Sequence, residues 1–111
     1  MINIFNQKFN ELIRRDNTYI DDVERYALFY IISTNDELFR SINEIYNFNE
    51  HVIKHNVLDK AGFCSSTTAL LRLAFNLFNS FNKADVFNTM YNLDDRNFEI
   101  AINAIKIRFR G

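Results

Sequence analysis

Tyr19-Ile20-Asp21-Asp22-Val23-Glu24-Arg25-Tyr26-Ala27-Leu28-Phe29-Tyr30-Ile31-Ile32-Ser33 is the stretch whose reading decides the fold. Ile20, Val23, Ala27, Tyr30 and Ile31 recur at the three- and four-residue spacing that lines one face of an α-helix. Tyr26, Leu28, Phe29 and Ile32 carry the apolar surface further around the cylinder. A helix that is apolar on most sides has to be enclosed by neighbours. The stretch therefore predicts a central helix and, around it, a domain made of helices.

Outward toward the N-terminus, Phe5, Phe9, Leu12 and Ile13 predict an amphipathic helix from Ile2 to Arg15. The polar residues up to Thr18 form the link, where Asn17 or Thr18 is suited to accept a backbone N–H at the start of the central helix. In the other direction, Thr34 and Glu37 have the capping-box spacing, in which two side chains satisfy each other's orphan backbone donors. A third helix follows, with Leu38, Ile42, Ile45 and Tyr46 on its buried face, ending near Asn47. From Asn47 to Phe63 the periodicity lapses; a loop, a short strand and a ragged turn all fit, and Gly62, the one interior glycine, is the expected positive-φ position.

Cys64 to Thr68 offer N-caps for the strongest amphipathic run: Leu70, Leu73, Ala74, Leu77, Phe78 and Phe81. Asp85 is placed to cap a short helix containing Val86, Phe87, Met90 and Tyr91. Asp94 is placed to cap a last one with Phe98, Ala101, Ile102, Ile105 and Phe109 facing inward. Ile105 to Arg110 alternate as a strand would, but no turn signal separates them from the helical run before, so helix is expected. The prediction is an all-α fold, a compact bundle of five or six short helices with one irregular crossover, forming a single helical domain over residues 1–111.

Composition agrees. A chain of 111 residues can close one hydrophobic core without staples, and 48% hydrophobic with 24% charged residues is the balance of a globular protein rather than a disordered one. With no proline and two glycines, turns fall to Asn, Asp, Ser and Thr. A formal net charge of -1 exerts no global pull toward nucleic acid or an anionic membrane. Cys64, the single cysteine, has no internal disulfide partner, and Met1 to Phe9 lack the charged and apolar regions of a secretory signal. No apolar run nears the roughly 18 residues that span a bilayer, so no membrane role and a cytoplasmic location are expected.

Several stretches match a known texture: Asp21 to Ile32, Cys64-Ser65-Ser66, Leu71 to Leu77 and Asn97 to Ile105. Together they resemble a family of short, uncharacterised helical proteins of low-GC Gram-positive bacteria and their mobile elements. The resemblance covers nearly the whole chain and implies a small bacterial domain, with no activity, cofactor or catalytic residue to carry over.

Each candidate for chemistry has a plainer reading beside it. His51, His55 and Cys64 offer two imidazoles and a thiolate for zinc, but a fourth ligand is missing and two exposed loop histidines explain the pattern better. A Cys64–His nucleophile lacks an orienting group, so no catalytic residue is assigned. Ser65, Ser66 and Thr67 at a helix start, with Arg72 beyond, suit an anion, although such residues commonly cap helices with no ligand. Asp16, Asp21, Asp22 and Glu24 make an acidic patch in which Asp21 or Asp22 can pair with Arg25. Lys106, Arg108 and Arg110 form the one concentrated basic patch, which equally suits the negative end of a helix dipole.

Twelve Phe and five Tyr exceed what a helical domain of this size readily hides. Phe29, Tyr30 and Phe75 widen the apolar faces of their helices and are the expected interaction surface. The function expected is a non-enzymatic, cofactor-free protein-interaction module, a homodimeric regulator or a mobile-element-encoded inhibitor. The alternatives are a nucleic-acid-associated regulator using the basic C-terminal end, or a small anion- or metal-binding domain.

Overall fold

Helix α2 (Val23–Thr34) sits where every neighbour meets: α1 (Gln7–Asp16), α6 (Ser65–Phe78) and α8 (Asp95–Arg110) all pack against it. The computed structural model describes residues 6–60 and 62–111; the Ile2 to Phe5 part of the expected first helix, including Phe5, lies outside the described residues. Seven consecutive α2 residues, Ala27 to Ser33, are buried, as only an enclosed helix allows. One core cluster runs from Phe9 and Leu12 through α2 and α6 to Ala104 and Ile107. The radius of gyration is 12.7 Å, against about 13 Å for a compact chain of this length.

The start of α2 differs from the expectation. Asp22 is the N-cap, accepting from Arg25 N, while Asn17 closes α1 in the left-handed region at φ 56. Tyr19 and Ile20 therefore lie outside any helix, and Ile20 is 87% exposed rather than buried. The Thr34–Glu37 capping box does not form. Thr34 is still helical, so its hydroxyl donates back to Tyr30 O, and Asn35 caps the next helix by accepting from Leu38 N.

The expected third helix breaks at Ser41 into α3 (Asp36–Arg40) and α4 (Ile42–Ile45). In the crossover, β1 (Tyr46–Asn47) pairs antiparallel with β2 (Val52–Ile53), Tyr46 opposite Ile53, and a single turn, α5 (Val57–Lys60), follows. The break and this extra turn raise the count to eight helical segments among the described residues. Gly62 does not take a positive φ; the hairpin turn places His51 there, at φ 60. Histidine is one of the few non-glycine residues enriched in that region.

Helix α6 ends at Phe78, three residues short of Phe81, where Asn79 Oδ1 accepts from Phe81 N and the chain turns outward. Asp85 caps α7 (Val86–Asn92), and Asp94 caps α8, which stays helical to Arg110 despite the alternating pattern. The inner face of α8 is rotated from the expected one: Asn97, Ile100, Ala101, Ala104 and Ile107 point inward, leaving Phe98 and Phe109 exposed. Asn97 is the cause. Its side chain donates to Ser66 Oγ at 2.8 Å and accepts from Asn35 Nδ2 at 3.1 Å, joining α8 to α2 and α6 through a buried polar contact.

Candidate functional site

Two places carry side chains that the core does not account for. The first is α7, whose sequence Val-Phe-Asn-Thr-Met-Tyr-Asn contains no Asp, Glu, Lys or Arg. At 100° per residue, Val86, Met90, Phe87 and Tyr91 fall on one contiguous arc, with Asn88, Asn92 and Thr89 on the other. An amphipathic helix normally turns its apolar arc inward. Here Thr89 is the buried residue, while Val86, Phe87 and Tyr91 are 76%, 72% and 77% exposed. Phe87 and Tyr91 stack on each other with centroids 5.9 Å apart. Beside them, Leu73, Leu77, Met90, Ile105 and Phe109 line an apolar groove of about 220 Å³.

The second place is a polar centre at the junction of α1, α2 and the hairpin. Asp16 is 3% exposed, yet its carboxylate receives Tyr46 Oη at 2.7 Å, His51 Nδ1 at 2.7 Å and the Thr18 hydroxyl. With a carboxylate as acceptor, Nδ1 is the ring nitrogen that carries the hydrogen. Arg25 stands 3.8 Å from Asp16, pairs with Asp22 at 3.0 Å, and donates to Tyr46 Oη and to the His51 carbonyl. The left-handed backbone at His51 is what aims its imidazole back at Asp16 and its carbonyl at Arg25. A cleft of about 590 Å³ opens beside this centre.

Burial, then the hydrogen bond to Asp16, pushes the Tyr46 hydroxyl well above the ordinary tyrosine range. Because the folded pKa is the higher one, its contribution to stability is complete below the unfolded value of about 10 and is lost as pH climbs toward the folded value. Wild-type protein should therefore lose denaturation midpoint relative to Tyr46→Phe as pH rises above about 10. Parallel denaturant melts of both proteins across that range test this, and parallel curves would refute it.

The sequence-predicted residues fare unevenly. Phe29, Tyr30 and Phe75 are not an interaction surface: they are 0%, 4% and 1% exposed. Phe29 packs edge-on to Tyr46, and Tyr30 Oη accepts from Asn103 at the α8 contact. The surplus aromatics are real but stand elsewhere, at Phe81, Phe87, Tyr91 and Phe109. The zinc trio is dispersed. His51 is on Asp16, His55 Nε2 is 2.7 Å from Asn82 Oδ1, and Cys64 Sγ is 3.4 Å from Thr67 Oγ1. No group of three His, Cys, Asp or Glu disposed to hold a metal occurs among the described residues.

Of the anion candidates, Ser66 and Thr67 are committed to the interior: Ser66 accepts from Asp94 N and Asn97, and Thr67 donates to Glu37. Ser65 and Arg72 remain on the surface. The acidic patch is broken by the burial of Asp16, while the Asp22–Arg25 pair forms as its spacing suggests. In the basic patch, Arg108 donates to Leu77 O at 2.9 Å and sits 3.6 Å from Glu24, so Lys106 and Arg110 alone stand in solvent there. Among the described residues no helix is long and apolar enough to cross a membrane.

The family whose model matches this chain, over residues 3–111, is a family of unknown function (DUF6075). No curated protein and no solved structure matches it.

Proposed function

The chain belongs to that family, whose description assigns no activity, and from the chain's own residues we propose a non-enzymatic protein-interaction module that pairs with a second copy of itself through the outer face of α7. The observation that carries this reading is the inverted helix: three large apolar side chains more than 70% exposed on one arc, with a threonine buried beneath them. Burying each such side chain is worth about 1.5–3 kcal/mol, which the isolated chain leaves unrealised. The face is also uncharged. Across a two-fold axis a patch meets itself, so charges near the axis would face their like; α7 has none to oppose.

Val86, Phe87, Tyr91 and Phe109 together offer on the order of 500 Å² of apolar surface, below the roughly 800 Å² per partner of a standard interface. The dimer expected is accordingly a weak one, with a micromolar dissociation constant. The setting we propose, from the resemblance in residue pattern to small proteins of low-GC Gram-positive bacteria and their mobile elements, is the bacterial cytoplasm, as a regulator or an inhibitor.

Light scattering coupled to size exclusion tests the pairing. At high micromolar concentration the wild type should approach twice the 13.2 kDa chain mass. Phe87→Asp should run as a monomer, its self-affinity weakened about 100-fold by a charge set in an apolar contact, with its melting temperature little changed. A wild type that stays monomeric at that concentration overturns the reading.

A further inference from the structure

The inversion of α7 has a second face. On α6, Ser65, Thr68 and Arg72 follow one another at helical spacing and look toward α7; on α7, Asn88 and Asn92 look back, and Lys83 comes from the link between the helices. These six polar side chains line a cleft of about 440 Å³. Two packed helices ordinarily seal such a seam with apolar side chains or with hydrogen bonds across it. Here the apolar part of the seam is only Ala69 and Ala84, and hydrogen bonds do not close the rest: among the described residues the Arg72 guanidinium and the Lys83 ammonium have no hydrogen-bond, ion-pair or ring partner, and no hydrogen bond joins the Ser65–Thr68–Arg72 stripe to Asn88 or Asn92.

Arg15, Arg25, Arg96 and Arg108 are each spent on a partner, whereas Arg72 and Lys83 share one cleft with both charges unpaired. One carboxylate, Asp85, also borders it, with Oδ2 already accepting from Asn88 N. The lining thus keeps a net positive charge of one. Cys64, at the start of α6, supplies no side-chain cap, which leaves the amides of that first turn uncovered beside Ser65.

We propose that this cleft binds a small phosphorylated polyol, its phosphate held between Arg72 and Lys83. Two cations supply the charge-assisted donors a phosphate oxyanion needs, the planar guanidinium binding it in a fork. The size lies within the range of small-molecule sites. Beside Ala69, Ala84 and the Asp85 carboxylate, the rest of the lining is hydroxyls and carboxamides, which donate to and accept from sugar hydroxyls. No aromatic ring lines the cleft, so nothing there would stack a nucleobase.

The test is a titration of the full chain with a hexose monophosphate, followed by amide chemical shifts and calorimetry, with inorganic phosphate, the unphosphorylated hexose and a nucleoside monophosphate as comparison probes. The expected result is saturable binding with shifts confined to Ser65, Thr68, Asn88 and Asn92. Arg72→Ala and Lys83→Ala should each weaken it by about tenfold or more. Both residues are exposed, so the variants should fold, which an unchanged melting temperature verifies. Inorganic phosphate binding as tightly as the hexose phosphate would overturn the polyol assignment. No saturable binding of any phosphate, or binding indifferent to both substitutions, would overturn the site.

Discussion

Replacing Asp16 with alanine is expected to lower the stability of the fold by about 3 kcal/mol or more, a large fraction of what a domain of this size possesses. The carboxylate is the acceptor that Tyr46, His51 and Thr18 share, and it lies 3.8 Å from Arg25. Its removal leaves the almost fully buried Tyr46 hydroxyl without its acceptor and deprives the hairpin of the hydrogen bonds from Tyr46 and His51 that tie it to α1. An unmade bond at a buried polar group costs about 1–3 kcal/mol, and losing one member of a buried charged set costs more. The melting temperature should fall by roughly 12–20 °C. A fall of only a few degrees would mean that water replaces the carboxylate at little cost. Tyr46→Phe, which deletes one donor and keeps the ring on Phe29, should lose clearly less.

Phe29→Ala is expected to cost about 4 kcal/mol, because truncating a fully buried aromatic removes its transfer energy and leaves a cavity. The ring is 0% exposed, edge-on to Tyr46 at 5.0 Å and parallel to Phe48 at 6.2 Å, so the space cannot be refilled without moving the hairpin. Phe87→Ala is the informative partner. It removes the same atoms from a ring 72% exposed and should change monomer stability by less than about 0.5 kcal/mol. Chemical denaturation of the two variants separates core from surface: comparable losses would show that α7 is more deeply packed than its exposure indicates.

This contrast marks where sequence reasoning stopped working. Apolar spacing located α2, α6 and α8, and the aspartates ahead of α7 and α8 announced those helices, because both signals depend on a few neighbouring residues. Which way a helix faces depends on residues far away. Asn97 turns α8 by meeting Asn35 and Ser66, 62 and 31 positions distant, and periodicity alone always assigns the larger apolar arc to the interior. For the same reason Phe29 and Phe75, placed beside broad apolar stripes, read as surplus although they are buried rings, while Phe109 read as inward-facing although it faces water.

The Asp16 centre was equally hidden. Its members come from α1, α2, β1 and the hairpin turn, and Asp16 lies 30 and 35 positions from Tyr46 and His51. Asp16 read as one residue of an acidic patch and His51 as an exposed loop histidine, with a zinc trio as the lesser alternative. The signal that was available is the turn chemistry of Asn47-Phe48-Asn49-Glu50-His51, where Asn47 Oδ1 accepts from two following amides and a histidine tolerates the left-handed position that glycine was expected to fill at 62.

Because Thr89 is the one buried residue of α7 and Met90 is the one apolar side chain of its arc that is partly covered, opening that helix is expected to expose little apolar surface of its own. Its free energy of local unfolding is therefore expected to rest on seven residues of backbone hydrogen bonding, the Asp85 cap and the contact with α6, and to lie toward the low end of the scale for the molecule. α7 is in that sense expected to melt and re-form while α2 and α6 remain closed. Whatever seats itself on either side of it, a second chain on the aromatic arc or an anion on the asparagine arc, acts first on that local equilibrium and only secondarily on the stability of the whole.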